Sequence, residues 1–305
     1  MKNIEENQSR IKTLWVYGPK SDETVSLTEA VKLTPLADMP ISHEKLNFSE
    51  LRPLDFGYRL KPTAALTCDC MDNIADRMRC RHEIGEATEK LGDIAAIINC
   101  LNGCICVPAF STSYAPEHVP PGHFGGGGGQ YWTEQAVPRS TCELSGGGNS
   151  ELIRELSEKF SLLPPKYKLQ FRASLERFAQ AKATQDGRKM ALDLGISLEM
   201  LLLFTENKKE RPDQLSLTFR IRGAWLVGVG LEDRKKVYSA LGTIYSHRSQ
   251  VAHNGEIDYQ GLDHTQISDQ RKVHLEVAER IFQKLILVSC IPDWKEIILG
   301  GSLPE

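Results

Sequence analysis

A stretch near the middle of the chain, residues 108–149, rules out one folding pattern from end to end. It carries Pro108, Pro116, Pro120, Pro121 and Pro138, glycines at 125–129, and three more at 146–148. Proline locks φ and donates no backbone hydrogen bond, and glycine loses the most freedom on ordering. The stretch is therefore expected to be a Gly/Pro-rich loop and linker. It would separate an N-terminal domain at residues 1–107 from a C-terminal one at residues 150–305. The five consecutive glycines do not read as a phosphate-binding loop, because no Gly-Lys-Ser/Thr follows and no strand–turn–helix pattern surrounds them.

The two flanks differ in period. Residues 11–60 read as short strands and turns. Thr13-Leu14-Trp15-Val16-Tyr17 is β-branched and aromatic, Gly18-Pro19 ends it, and residues 25–27 and 29–33 are further short runs. Pro35, Pro40 and Pro53 cut this segment into pieces. Across residues 72–102, Ile84, Ala87, Leu91, Ile94, Ala95 and Ile98 recur at helical steps up to a stop at Asn102-Gly103. The first half is thus expected to be an α+β region.

From residue 150 onward helical spacing is nearly continuous. Asn149 or Ser150 can cap a helix containing Leu152, Ile153, Leu156 and Phe160. Pro164-Pro165 opens the next, with Tyr167, Phe171 and Phe178. Further helices are expected at about 190–203, 215–229, 232–253 and 265–288, and a short one after Pro292. Short connections between so many helices indicate an all-α bundle.

Composition narrows the function classes. With 305 residues, 41% hydrophobic and 25% charged, the chain has the make-up of a globular protein. No apolar run approaches the roughly 20 residues that span a bilayer, and the first six residues are polar. The expectation is a cytoplasmic protein with no membrane partner. Net charge is -3; residues 1–150 hold 14 basic and 19 acidic side chains, residues 151–305 hold 23 and 21. Any RNA contact must therefore come from a local patch. Eight cysteines, seven of them in the first half, read in this compartment as reduced thiols or metal ligands rather than disulfides.

The helix expected at 232–253 ends in the stretch with the most chemistry. Val237, Leu241, Ile244, Val251 and Ala252 mark its apolar positions, and Asn254-Gly255 supplies a left-handed stop. Arg248 and His253 then fall in the last turn and a half. The carbonyls there carry partial negative charge, which a protonated imidazole complements. Such a pair can move a proton and hold a phosphate without a metal.

An Arg and a His five apart are common, but their surroundings are less so. Upstream lie Ile196-Ser197-Leu198-Glu199-Met200-Leu201-Leu202 and then the run from Leu215 to Gly228, with Arg220 and Arg222. This order resembles the HEPN superfamily, and most closely its ApeA-like branch, associated with bacterial phage defence. In that branch a Leu-Glu-x-Leu-Leu helix precedes a Leu-Ser-x-Arg-type helix. A Tyr-x-x-Arg-Ser-x-x-x-His segment then closes on glycine, matched here by Tyr245, Arg248, Ser249, His253 and Gly255. The branch usually has His-Gly, whereas Asn254 intervenes here. The resemblance covers about residues 150–290 and none of the first half.

The resemblance implies an all-α HEPN-like bundle after the α+β region. It also implies metal-independent endoribonuclease activity in a homodimer whose two Arg–His pairs meet at the interface, acting as a toxin or antiviral effector. Arg248 and His253 would be catalytic, with Ser249, Asn254, Glu199 and Tyr245 in support and Arg220, Arg222 and His247 touching RNA. The N-terminal half would receive a trigger or regulatory partner. Blander readings stand beside these. His253 and Asn254 can serve only as a helix end, Arg248 and Glu199 as a bundle or interface ion pair, and Arg220 and Arg222 as a solvated face. Together they describe a non-catalytic HEPN module that binds RNA, a nucleotide or a partner protein. No cofactor is implied. Cys68-x-Cys70, Cys80-x-His82 and Cys104-x-Cys106 leave structural zinc open, although one-residue gaps strain a shared tetrahedron.

Overall fold

The computed structural model describes residues 7–40, 62–73, 77–114, 141–145, 147–205 and 214–301. These divide into two compact units. One comprises Met1–Ile98 with Gly103–Ser157, the other Asn99–Asn102 with Glu158–Glu305. The first is built on a sheet and the second is helical.

In the first unit, β1 (Asn7–Tyr17), β3 (Val25–Ser26), β4 (Val31–Pro35), β5 (Ala64–Asn73) and β6 (Val107–Tyr114) form an antiparallel sheet in the order β3-β4-β5-β1-β6. Strand β1 lies inside the sheet, between β5 and β6, and its run Thr13 to Tyr17 is β-branched and aromatic, as a strand paired on both edges favours. Both sheet faces are covered: Trp15 packs with Met39, Ala65 and Ala109, while Leu33 and Leu66, paired in register, are also fully buried. Helix α1 (Arg77–Ile98) lies against β5 and β1 and buries Leu91, Ile94, Ala95 and Ile98. A parallel pair, β2 (Pro19–Lys20) with β7 (Cys142–Glu143), adds a second small sheet.

Two expectations are corrected. The stretch 108–149 is not loop throughout: it contains most of β6, all of β7 and the start of the next helix. Pro108 is tolerated because β6 is an edge strand and Pro108 faces Val16 beside a bulge. The helix expected from residue 72 starts at Arg77 and ends at Ile98, since Ala64–Asn73 is strand. The glycines at 125–129 and four of the prolines, 116, 120, 121 and 138, lie outside the described residues.

The second unit takes the end of α2 (Gly147–Ser161), then α3 (Pro165–Ala183), α4 (Gly187–Leu202), α5 (Leu215–Val227), α6 (Gly230–Asn254), α7 (His264–Val288) and α8 (Trp294–Ile298). Helix α2 starts at Gly147, so Asn149 and Ser150 sit inside it rather than capping it. On α3, Phe171 meets Tyr167, Phe160 and Phe282 edge-on and Phe178 stacks on Phe282, at 4.5–5.9 Å, the aromatic centre of the bundle. Asp263 and Gln266 form a reciprocal capping box at the start of α7. No described helix is long and apolar enough to cross a membrane.

One ion pair lies inside this unit. Lys182 Nζ donates to Glu279 Oε1 at 2.6 Å and to the carbonyls of Asn99 and Leu101 at 2.8 and 3.2 Å. Gln283 Nε2 donates to the Cys100 carbonyl at 2.7 Å. Three successive backbone carbonyls of the turn 99–102 are thus satisfied by side chains. Breaking a buried pair by removing one partner leaves an uncompensated charge. Lys182→Ala is expected to destabilise the helical unit by about 3–5 kcal/mol, read by urea unfolding followed by circular dichroism. A loss below about 1 kcal/mol would mean that the pair is dispensable.

Candidate functional site

Helix α6 ends as its sequence demands. Gly255 takes φ +76° and its N–H donates to the Val251 carbonyl, a left-handed cap that L side chains rarely adopt. Asn254 is the last helical residue, and it and His253 are exposed. Ser249 is half-buried one turn earlier, and Tyr245 is half-buried against Phe219 at 5.7 Å.

Helical phase separates the two residues expected to act together. Five residues at about 100° each put Arg248 and His253 about 140° apart around the axis and about 7.5 Å apart along it. Arg248 belongs to the side of Val237, Leu241 and Ile244, all buried. His253 belongs to the opposite stripe, with Ser239, Thr243, Ser246 and Gln250. One chain therefore does not converge them.

Arg248 crosses α4 at its narrowest point. A Cβ built on Gly195 would meet Arg248 Cβ at 2.5 Å and Cγ at 2.6 Å, so only glycine lets the stem pass. Beyond it, Arg248 Nη2 donates to Glu199 Oε2 at 3.0 Å, with the side chains 28% and 18% exposed. The pairing expected of Glu199 is present. Arg248 Nε is buried with no hydrogen-bond partner among the described residues.

The other expected RNA contacts divide. Arg222 turns away: Nη1 donates to the Leu202 carbonyl at 2.7 Å, its guanidinium lies 4.9 Å from the Trp294 ring centre, and burial lowers its pKa. It closes the end of α4 instead of facing solvent. His247 is buried too, edge-on to Tyr259 at 5.4 Å and His274 at 5.8 Å. Arg220 remains at the surface of α6, stacked 3.8 Å over Tyr238 with Nε donating to the Tyr238 carbonyl at 3.3 Å. Gly242 makes room for it, since a Cβ there would lie 2.9 Å from that Nε.

Sequence reading missed the group around His247. His274, Tyr259 and Arg271 come from α7 and the loop before it, and Arg271 Nη2 donates to the Tyr259 hydroxyl at 3.1 Å. The guanidinium lies where a Gly187 side chain would be, at the start of α4. The helical spacing of His274 with buried Val277, Ala278 and Ile281 was the available signal.

Among the described residues no cluster of three or more His, Cys, Asp or Glu is arranged to hold a metal. Cys68 and Cys70 sit on β5, and Cys104 and Cys106 precede β6. Burial raises the thiol of Cys68 and raises that of Cys106 well above its ordinary range, so both are held neutral. The side chains of Cys80 and His82 lie outside the described residues.

Comparison with family models, with curated proteins and with solved structures returns no match to this chain.

Two expectations follow. The buried His274 imidazole is lowered to about 4 by desolvation, then by His247, and His247 is lowered by desolvation, then by Arg271. Folding therefore favours the neutral rings. Their stabilisation is complete above the ordinary value of 6.5 and is lost as pH falls from there toward 4. The melting temperature should drop between pH 7 and pH 4.5, and His274→Gln should flatten that slope; an unchanged slope would refute the assignment. Gly195→Ala should cost about 1–3 kcal/mol through overpacking against Arg248, measured by thermal melting. A variant as stable as the parent chain would mean that α4 and α6 separate freely.

Proposed function

We propose that the helical unit is a HEPN-type, metal-independent endoribonuclease that assembles its active site from two copies of α6. The observation that carries this reading is the exposed His253 in the glycine-capped last turn, on the same helix as an Arg248 already oriented by Glu199. RNA brings its own nucleophile, the 2′-hydroxyl beside the scissile phosphate. One His253 takes the 2′-hydroxyl proton as that oxygen attacks phosphorus. The His253 of a second copy gives a proton to the departing 5′-oxygen. The products are a 2′,3′-cyclic phosphate and a free 5′-hydroxyl. An Arg248 guanidinium holds the non-bridging oxygens as charge grows on them. A single chain offers one His253 and an arginine on the far side of its helix. Two-fold association is the simplest way to bring base, acid and cation together. In this reading the sheet unit restrains the nuclease or receives its trigger, as a toxin or phage-defence effector requires.

One observation favours a second reading, a non-catalytic HEPN-type module that binds RNA, a nucleotide or a partner protein: Arg248 is already engaged by Glu199. The two separate by incubating the full chain with transfer RNA and total RNA in EDTA. The nuclease reading expects cyclic-phosphate ends, with the rate falling at least about 100-fold in Arg248→Ala and in His253→Ala. Undiminished cleavage in both variants would remove the site, and binding without cleavage would select the second reading.

A further inference from the structure

Beside the exposed stripe of α6 lies a cleft of about 980 Å³, counting its open mouth. Arg220, Ser246, Gln250, Tyr259, Gln260 and Gln270 are among its walls. Most of the side chains that line it are polar, unlike the apolar pockets that take drug-like ligands.

Several groups there have bonding capacity to spare. The bond from Arg220 to Tyr238 uses Nε alone, and among the described residues both terminal nitrogens have no hydrogen-bond partner. Tyr259 accepts from Arg271 and keeps its own proton to donate. Ser246 accepts from Gln250 Nε2 at 3.3 Å and likewise keeps its proton. Among the described residues Gln270 Oε1 is buried with no hydrogen-bond partner, a costly state for an amide oxygen. At the rim Gln260 holds φ +52°, rare for a side chain of its kind. That loop is fixed from outside: Gln250 Oε1 accepts from the Asp258 N–H at 2.8 Å, and Asp258 Oδ1 accepts from the Gln260 N–H at 2.9 Å. Among the described residues Asp258 is the single carboxylate of the cleft wall, and its Oδ1 is turned to its own loop.

We infer that this cleft binds a segment of single-stranded RNA next to the cleaved phosphate, a proposal that rests on the nuclease reading. Arg220 holds a phosphate, the Tyr259 ring and hydroxyl meet a base or ribose, and the Gln260 and Gln270 amides contact base edges. A duplex hides those edges and presents mainly backbone, so the strand is single. The stripe Ser246, Gln250, His253 runs from the cleft to the helix end at three- and four-residue steps. A strand lying along it therefore reaches His253.

The test uses the full chain carrying His253→Ala, which stops turnover, and a fluorescein-labelled single-stranded RNA octamer followed by anisotropy. Arg220→Gln should weaken binding about tenfold, as loss of a charged hydrogen bond does. Gln260→Gly, which suits the left-handed backbone, should weaken it about threefold. Unchanged melting curves exclude misfolding. Unchanged affinity in both variants would overturn the cleft, and so would a parent chain that does not bind the octamer. The two readings fail separately. If Arg248→Ala and His253→Ala abolish cleavage while both cleft variants bind and cleave normally, the cleft is wrong and the nuclease stands. If binding depends on the cleft in a chain that never cleaves, the nuclease is wrong and the cleft stands.

Discussion

The turn of a single helix governs how the helical unit can work. α6 advances about 100° per residue, so each of its side chains is committed to a side once its apolar positions are buried. Val237, Leu241 and Ile244 face inward, which carries Arg248 to α4 and Glu199. The same rotation carries Ser246, Gln250 and His253 to the outside. No change of side-chain rotamer brings an arginine and a histidine together from opposite sides of a rigid rod. The helix must therefore meet something else before any chemistry that needs both can occur.

Two ion pairs in this unit look alike by distance and differ in consequence. Lys182–Glu279 has side chains 2% and 6% exposed and also ties down the turn 99–102, so neither partner can leave without stranding a charge. Arg248–Glu199 is 28% and 18% exposed. That pair is less enclosed, so water can reach the guanidinium in a way that Lys182 does not allow. A phosphate arriving beside Arg248 can share the guanidinium at little cost, because only one of its nitrogens is bonded to Glu199. Engagement by Glu199 thus orients the arginine without spending it.

Much of this was legible in the sequence, for a physical reason. Helices rest on local bonds, so the apolar spacing and Asn254-Gly255 located α6 to within two residues at each end. Strand β1 showed itself by Trp15 and its β-branched neighbours. Strands β5 and β6 did not, because Ala64-Ala65 and Pro108 have little β preference of their own and are held by pairing with β1, far off in sequence. The same divide runs through the site. Glu199 beside Arg248 could be inferred, since a lone acid on an apolar helix needs a partner. The roles of Arg222 and His247 could not, because two residues along a helix turn about 200°, and only the packing decides which side is wet. The Tyr259 loop was invisible for the same reason as β6.

Charge closes the argument about how RNA would be held. A net charge of -3 gives the chain no long-range pull on a polyanion. Affinity must then come from fixed local contacts, and those need a surface whose donors are already paid for in place. The cleft wall has that property: Gln250 braces the Asp258 backbone, Tyr238 positions Arg220, and Arg271 orients Tyr259. Each supporting bond is made within the helical unit before any ligand arrives, so little ordering remains to be done on binding. The polar stripe of α6 leads from that wall to an exposed imidazole. In the proposed nuclease, recognition and reaction would share one helix, with the second copy needed for the chemistry and not for the grip.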